Sequence, residues 1–156
     1  MRQVREEAFE CQRQSARLAQ GKDRAMRTPT PAADAYAWHR AALAGDEPAT
    51  DDTPQCGWFK RKMVRGGPWV PCRIWLYAEI DDAGELVAPE ILQAEVAGEY
   101  ADPDDLWSFV AANPITEAEF KFLSATIEWS QTNAPHEPMA NPRERIDWCR
   151  VPTPTF

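Results

Sequence analysis

The sequence lacks the short motifs with which enzymes build active sites, and it is poor in the side chains that they use. It contains no nucleophile elbow, no phosphate-binding loop and no HExxH sequence. It has two histidines, His39 and His136, and neither has a partner at a spacing typical of a catalytic pair. We therefore expect no catalytic residues, no metal and no cofactor. The four cysteines form no CxxC pair and no zinc-type Cys/His spacing: Cys11, Cys56, Cys72 and Cys149.

Long hydrophobic runs are also absent. No stretch of 18 apolar residues occurs, which predicts that the chain has no membrane-spanning helix. The opening residues, MRQVREEAFECQRQ, have no apolar segment of the kind found in secretory signals. Without export, the cysteines are expected to stay reduced, and the expected location is the cytoplasm.

Basic residues are scarce in the second half of the chain. The formal net charge of the whole sequence is −8, and residues 79–156 contain four Lys or Arg against sixteen Asp or Glu. Within residues 79–128, Lys121 is the single base among thirteen acids. A negative field of this kind repels nucleic acids and membrane surfaces and attracts basic partners.

The hydrophobic periodicity of the chain predicts an α+β fold. We expect a three-stranded antiparallel sheet, with C-terminal helices packed mainly on one face of it and an N-terminal helical appendage. Three segments are expected: a helical region and acidic linker over 1–55, a core domain over 56–134, and a Pro-rich, extended tail over 135–156. Residues 2–27 favour a helix, and Asp34 is placed to cap a short helix that runs to Leu43.

Two helices after the sheet have clear start signals. Asp102 and Thr116 are the predicted N-caps, and Thr116 begins a capping-box sequence. In the second of these helices, Phe122 and Trp129 lie almost opposite the face that carries Ile127. A helix that is apolar on two sides is either sandwiched or presents its aromatic pair to something else.

Residues 69–80, WVPCRIWLYAEI, alternate as in a half-buried strand, with an apolar row at every second position from Val70 to Ile80. The second face carries two tryptophans, a tyrosine and an arginine. Aromatic rings stack on bases and cations hold phosphates, so this face and the basic stretch WFKRKMV before it form a candidate nucleic-acid platform. The alternatives are a second packing surface, covered by the N-terminal helix or the Pro-rich tail and with Arg73 stacked on a tryptophan, or contact with another protein. The residues of the candidate platform are Lys60, Arg61, Lys62, Arg65, Arg73 and Trp75.

The acidic residues form a second candidate surface. Carboxylates spaced along a strand or a helical turn can imitate a nucleic-acid backbone and occupy a partner's phosphate-binding groove. The alternative is a solvated face that keeps a small protein soluble. The helix-start aspartates are explained as caps before they are explained as a metal site. The partner-binding residues of this hypothesis are Asp81, Asp82, Glu85, Asp102, Asp104 and Asp105, with Trp107 and Trp129 as exposed aromatic anchors.

Three blocks of the sequence, GWFKRKMVRGGPWVPCRIW, NPITEAEFKFL and HEPMANPRERID, lie between Gly57 and Asp147. Over this range the chain resembles a group of small phage and prophage proteins of proteobacteria that have no established activity. The resemblance therefore carries over no catalytic or binding residues. It implies a context, namely a protein expressed from a phage-like genome in the cytoplasm of a host cell, where small acidic proteins often act on host machinery.

These observations lead to two main hypotheses for function. The first is a phage-encoded, anti-CRISPR-like inhibitor that occludes the cationic groove of a host protein with a basic nucleic-acid-binding surface, such as a CRISPR effector or another defence nuclease. The second is a nucleic-acid-binding accessory protein that uses the basic aromatic hairpin over residues 58–77. A phage assembly factor is a third hypothesis, and the sequence leaves homo-oligomerisation open.

Overall fold

The computed structural model describes residues 28–46, 52–147 and 149, so the helix predicted for residues 2–27 lies outside the described residues. The fold is α+β, as predicted, and its antiparallel sheet has four strands. The elements in chain order are α1 (Ala32–Ala35), α2 (Ala37–Leu43), β1 (Gly57–Lys62), β2 (Trp69–Tyr77), β3 (Ile91–Val96), β4 (Glu99–Ala101), α3 (Pro103–Val110) and α4 (Glu117–Asn133).

The prediction of three strands is wrong because it missed β4. A two-residue turn joins β3 to β4, with φ of 51° at Ala97 and 83° at Gly98, and Val96 pairs directly with Glu99. Two consecutive residues with positive φ form the hairpin turn whose twist matches that of the flanking strands. Asn-Gly is the strong sequence signal for this turn, and Ala-Gly is not.

The strands follow one another through the sheet in chain order. Directly paired side chains share a face, and Phe59 pairs with Cys72 in the β1–β2 hairpin, so the hairpin has two defined faces. The core face carries Gly57, Phe59, Arg61, Val70, Cys72 and Ile74. The second face carries Trp58, Lys60, Lys62, Trp69, Pro71, Arg73 and Trp75.

The main hydrophobic core lies against the core face. Helix α3 contributes Leu106, Trp107 and Val110 to it, and β3 contributes Ala94 and Val96. The apolar row predicted for β2 is confirmed for three fully buried side chains, those of Val70, Cys72 and Ile74. The row was predicted to continue to Ile80, but β2 ends at Tyr77 and Ile80 is 55% exposed.

Both N-caps predicted after the sheet are confirmed. The Asp102 carboxylate accepts hydrogen bonds from the backbone N–H groups of Asp104 and Asp105, at 2.9 and 3.3 Å. The Thr116 hydroxyl accepts from the N–H of Glu119 at 3.1 Å. In a full capping box Glu119 would reach back to the N-cap, but its carboxylate instead accepts from Lys60 Nζ at 2.9 Å.

Helix α4 packs on the second face of the sheet, so the prediction of helices mainly on one face is wrong. The Lys60–Glu119 ion pair joins a second-face side chain to α4. A groove of about 320 Å³ lies between α4 and the sheet, lined by Pro71 and Glu95 on one side and by Ser124 and Ile127 on the other. An apolar second face requires a cover just as the core face does, and the alternating pattern of β2 does not show which helix supplies it.

The short helix predicted to run to Leu43 forms as two pieces that divide at Tyr36. Asp34 lies inside α1, and Tyr36 takes the N-cap position of α2 without a side-chain hydrogen bond. The predicted cap at Asp34 is therefore wrong. Tertiary packing overrides the local signal, because the ring of Tyr36 stacks on that of Trp58 with centroids 4.8 Å apart.

His39 fastens α2 to the sheet. Its side chain is buried, and its Nε2 lies 3.0 Å from the carbonyl oxygen of Trp58 and 2.8 Å from that of Ile115. Both neighbours are acceptors, so Nε2 must carry a proton and donate. The N–H of Ile115 also donates to the Trp58 carbonyl at 2.9 Å, so the segment that precedes α4 runs alongside β1.

By their contacts, the described residues fall into two compact units. One unit contains residues 28–31 and 77–91, in which Asp81 Oδ1 accepts from the N–H groups of Ala83 and Glu85, both at 2.9 Å, and so closes a turn. Thr30 donates to the Glu90 carboxylate in the same unit. The other unit contains the remaining described residues, so α1 and α2 belong to the same unit as the helices α3 and α4.

Residues 135–147 do not form the extended tail that was predicted. The backbone N–H groups of Glu137, Ala140 and Glu144 each donate to the carbonyl three residues earlier, which makes a series of turns. Met139 packs against the hydrophobic core. This part of the Pro-rich sequence therefore belongs to the packed structure.

The buried thiol of Cys72 predicts a loss of stability in alkali. Burial raises the pKa of Cys72 to about 12, against an ordinary value of 9.0, because the thiolate would lose its hydration. The unfolded chain therefore releases this proton first, and the contribution to stability is complete below pH 9 and is lost as the pH rises towards 12. We expect a loss on the order of 1 kcal/mol in the free energy of unfolding by pH 10.

Urea unfolding at a series of pH values measures this loss. The Cys72→Ala variant is expected to show a flatter pH dependence than the wild type, whereas Cys149→Ala, at an exposed cysteine, keeps the wild-type slope. Equal slopes in the two variants would contradict the assignment.

Candidate protein-binding surfaces

The aromatic second face of the sheet is a packing surface over much of its area. The ring of Tyr36 lies on Trp58, and the guanidinium of Arg73 lies over the ring of Trp75, 4.8 Å from its centroid. Trp58, Arg73 and Trp75 are all half-buried. Burial raises the pKa of Tyr36, against the opposing charge and hydrogen bond of Arg73. The predicted stack of Arg73 on a tryptophan is confirmed, and Tyr36 covers part of this face.

The six residues of the candidate nucleic-acid platform do not share one surface. Arg61 lies on the core face, where its guanidinium is 4.2 Å from the ring centroid of Phe109. Lys60 is paired with Glu119. Lys62 lies over the Trp69 ring on the second face, and Arg65 is exposed in the connection between β1 and β2. The structure therefore leaves Lys62 and Arg65 as the exposed cations of the set.

Three of the predicted acidic residues meet at the start of α3. Asp102, Asp104 and Asp105 are all exposed there, within one helical turn. Among the described residues, neither Asp104 nor Asp105 forms an ion pair. Their negative charge is therefore exposed to solvent, and the positive end of the helix dipole offsets part of it.

The other three predicted acids lie in the turn after β2, which belongs to the other compact unit. Asp81 uses its carboxylate to close that turn, Asp82 is exposed and Glu85 is half-buried. Asp81 therefore has a structural explanation, although its charge remains at the surface.

Trp107 is not the exposed anchor that was predicted, because it is 4% exposed and packs edge-on against Phe59 and Trp38. The exposed aromatic residue on α3 is Phe109, at 57% exposure, whereas Tyr100 on β4 is 74% exposed but pairs with Glu95 and so lies on the second face. Helical periodicity predicts the burial of Trp107, since this residue falls on the same side of α3 as the apolar residues that precede and follow it.

Trp129, the second predicted anchor, is exposed on α4. It is 60% exposed and Phe122, one heptad earlier, is 69% exposed. Ile127 is buried on the opposite side of the same helix. The prediction that α4 is apolar on two sides is confirmed, and the aromatic pair is on the side facing away from the sheet.

The groove beside α4 has both apolar and polar side chains in its lining. Its polar side chains are Glu95, Ser124, Glu128 and Gln131, and none of the described histidines and cysteines lines it. Within residues 28–46, 52–147 and 149, no group of three or more His, Cys, Asp or Glu side chains is arranged to hold a metal ion.

Comparison of the chain with models of known protein families, with curated proteins and with solved structures finds no match. In the part of the chain that the structure describes, none of the helices has the length and apolar character needed to span a membrane.

Proposed function

We propose that this protein is an inhibitor that binds another protein rather than a catalyst. Its acidic α3 surface, which we define as Asp102, Asp104, Asp105 and Phe109, occupies the cationic groove of a nucleic-acid-processing protein. In the phage context that the sequence resembles, the partner class is a host defence nuclease, such as a CRISPR effector. The observation that carries the proposal is the set of three exposed carboxylates within one turn, with the exposed ring of Phe109 on the same helix.

The spacing of the carboxylates supports this proposal. The Asp102 cap fixes the backbone from which the Asp104 and Asp105 side chains project, so little backbone entropy remains to be lost on binding. Carboxylates that project from a fixed backbone present to guanidinium and ammonium groups the same charge-assisted acceptors as phosphate oxygens do.

Phe109 supplies the apolar part of the surface. Phe109 lies one helical turn after Asp105, so the two side chains are neighbours on the surface of α3. Exposed aromatic rings beside fixed charges are typical of the residues that contribute most to protein–protein binding. Arg61 stacks on Phe109 and holds the orientation of the ring.

The basic hairpin offers less support for direct nucleic-acid binding. Its cations lie on two faces of the sheet, and Lys60 and Arg73 already have partners within the fold. We therefore keep nucleic-acid binding as an outcome of the test. A mobility-shift titration with single-stranded DNA or RNA that responds to Arg65→Glu would favour it.

Charge reversal on α3 tests the proposal. Immobilised wild-type protein is incubated with a nuclease-treated lysate of a bacterial host, and retained proteins are challenged with a DNA duplex as competitor. We expect a nucleic-acid-binding protein to be retained, to be displaced by the duplex, and to bind the Asp104→Lys/Asp105→Lys variant about tenfold more weakly or worse, because attraction becomes repulsion. Retention by the wild type should also fall as salt rises.

The matched control is Glu137→Lys/Glu144→Lys, which changes the net charge equally at two exposed carboxylates outside α3. Asp104→Asn/Asp105→Asn keeps the Asp102 cap and is expected to give an intermediate loss. Equal weakening by the control would mean that only overall charge matters, and undiminished binding by the α3 variant would overturn the proposal.

A further inference from the structure

The outer side of α4 carries an apolar row that the sheet does not use. The row consists of Ala118, Phe122, Ala125 and Trp129, and all four residues are exposed. Their spacing of four, three and four residues is that of the a and d positions of a heptad. The buried Ile127 and the half-buried Phe120 lie on the side facing the sheet. The row is therefore additional to what the fold needs from α4.

We propose that this row binds the same row of a second copy of the chain, with the two α4 helices antiparallel about a two-fold axis. In this register Phe122 lies opposite the partner's Ala125, and Trp129 lies opposite the partner's Ala118. Symmetry repeats both contacts, so the row forms four layers that each combine one large and one small side chain. A two-fold interface must be self-complementary, and this order of residues meets that condition.

A parallel arrangement does not give the same fit. It would place Phe122 against the partner's Phe122 and Ala125 against the partner's Ala125, so that crowded layers alternate with empty ones. Packed helices favour layers of matched volume, because both gaps and overlaps cost free energy. The alternation of large and small residues therefore selects the antiparallel direction.

The charges beside the row agree with this choice. Lys121 and Glu128 each precede an aromatic residue of the row, and in heptad terms both occupy the g position. In an antiparallel pair the g positions of the two helices face each other, so Lys121 lies near the partner's Glu128 and Glu128 lies near the partner's Lys121. Lys121 also pairs with Glu117 of its own helix at 2.8 Å, which holds it at this edge of α4.

The predicted dimer is weak and reversible. The row is about 16 Å long, so the interface lies at the small end of the range for specific association. The proposal is independent of the acidic α3 surface, since α3 covers the core face of the sheet and α4 covers the second face. Each surface can therefore be tested while the other is intact.

Sedimentation equilibrium over about 1 µM to 1 mM tests the proposal on the wild type and on four variants of the full chain. The variants are Ala125→Glu, Ala112→Glu, Lys121→Glu and Glu128→Lys. The wild type is expected to shift from monomer towards dimer across this range. Ala125→Glu, on an exposed position of the row, is expected to remain monomeric. Ala112→Glu is the matched control, because it makes the same change at an exposed residue outside α4 and should dimerise like the wild type.

A charge swap tests the register. Lys121→Glu places two acids opposite each other and Glu128→Lys places two bases opposite each other, so each variant alone is expected to self-associate about tenfold more weakly. A mixture of the two restores both opposite-charge pairs and should form a heterodimer at least as stable as the wild-type dimer. Circular dichroism at low concentration confirms that each monomer is folded.

Each result decides the proposal. Wild-type protein that stays monomeric at about 1 mM, or an Ala125→Glu variant that dimerises normally, would overturn the use of this row. A mixture that associates no better than its components would overturn the antiparallel register. Loss of dimerisation in the Ala112→Glu control would place the contact elsewhere and would also overturn the proposal.

Discussion

Truncation of Phe59 to alanine is expected to lower the free energy of unfolding by about 3–5 kcal/mol, which is a large share of the stability of an ordinary domain. Phe59 is fully buried, and its ring is surrounded by those of Trp38, His39 and Trp107, with centroids 5.7 to 6.3 Å away. The lost ring would leave a cavity among large rigid side chains, which cannot collapse to fill it. Urea unfolding monitored by tryptophan fluorescence measures the loss.

Phe109→Ala is the matched control, because it removes the same atoms from a side chain that is 57% exposed. Its cost is expected to be about 1 kcal/mol, mainly from the cation–π contact with Arg61. A cost for Phe59→Ala as small as that of the control would mean that the aromatic cluster is not the centre of the core.

Replacement of Gly57 by alanine is expected to cost close to the upper end of about 1–3 kcal/mol. A Cβ at this position would lie 2.5 Å from His39 Cδ2 and 2.9 Å from Phe59 Cζ. Neither atom can move freely, because the His39 ring is held by hydrogen bonds to two backbone carbonyls and Phe59 is fully buried. The glycine is therefore needed for the close approach of α2 to β1.

A double-mutant cycle with His39→Ala separates this contact from a general effect of the strand position. His39→Ala alone is expected to cost about 1–3 kcal/mol, because it removes packing and leaves the carbonyl of Ile115 without its donor. Since the small side chain makes room for the new methyl group, Gly57→Ala should cost less in the His39→Ala background, with a coupling of about 0.5–3 kcal/mol. Strict additivity of the two substitutions would contradict a direct contact between residues 57 and 39.

Local signals were sufficient to predict the helices and strands that have strong end markers. Asp102 and Thr116 offer acceptor side chains at the N-cap, and α3 and α4 begin where they predict. The alternation in β2 identified its buried row. Strand β4 was missed because it has only three residues, and its turn uses Ala97 in place of a residue that adopts positive φ readily.

It was harder to predict which face of the sheet each side chain occupies. Whether Arg61 faces the core or the second face depends on the register of the hairpin, and a slip of one residue would reverse it. The long connection between β1 and β2 does not define that register in the sequence. By contrast, the burial of Trp107 and the exposure of Phe109 follow from helical periodicity, so these two were predictable before the structure was known.

The segment that contains Asn113 and Pro114 runs alongside β1 and protects this border of the sheet from pairing with another chain. The N–H of Lys60 donates to the carbonyl of Asn113 at 3.1 Å, and Pro114, which has no N–H to offer, lies opposite Phe59. At the other border of the sheet, β4 is only three residues long. Open strand borders are the templates on which chains add to one another as fibrils. With one border occupied and the other very short, concentrated solutions of the folded protein are expected to resist amyloid growth.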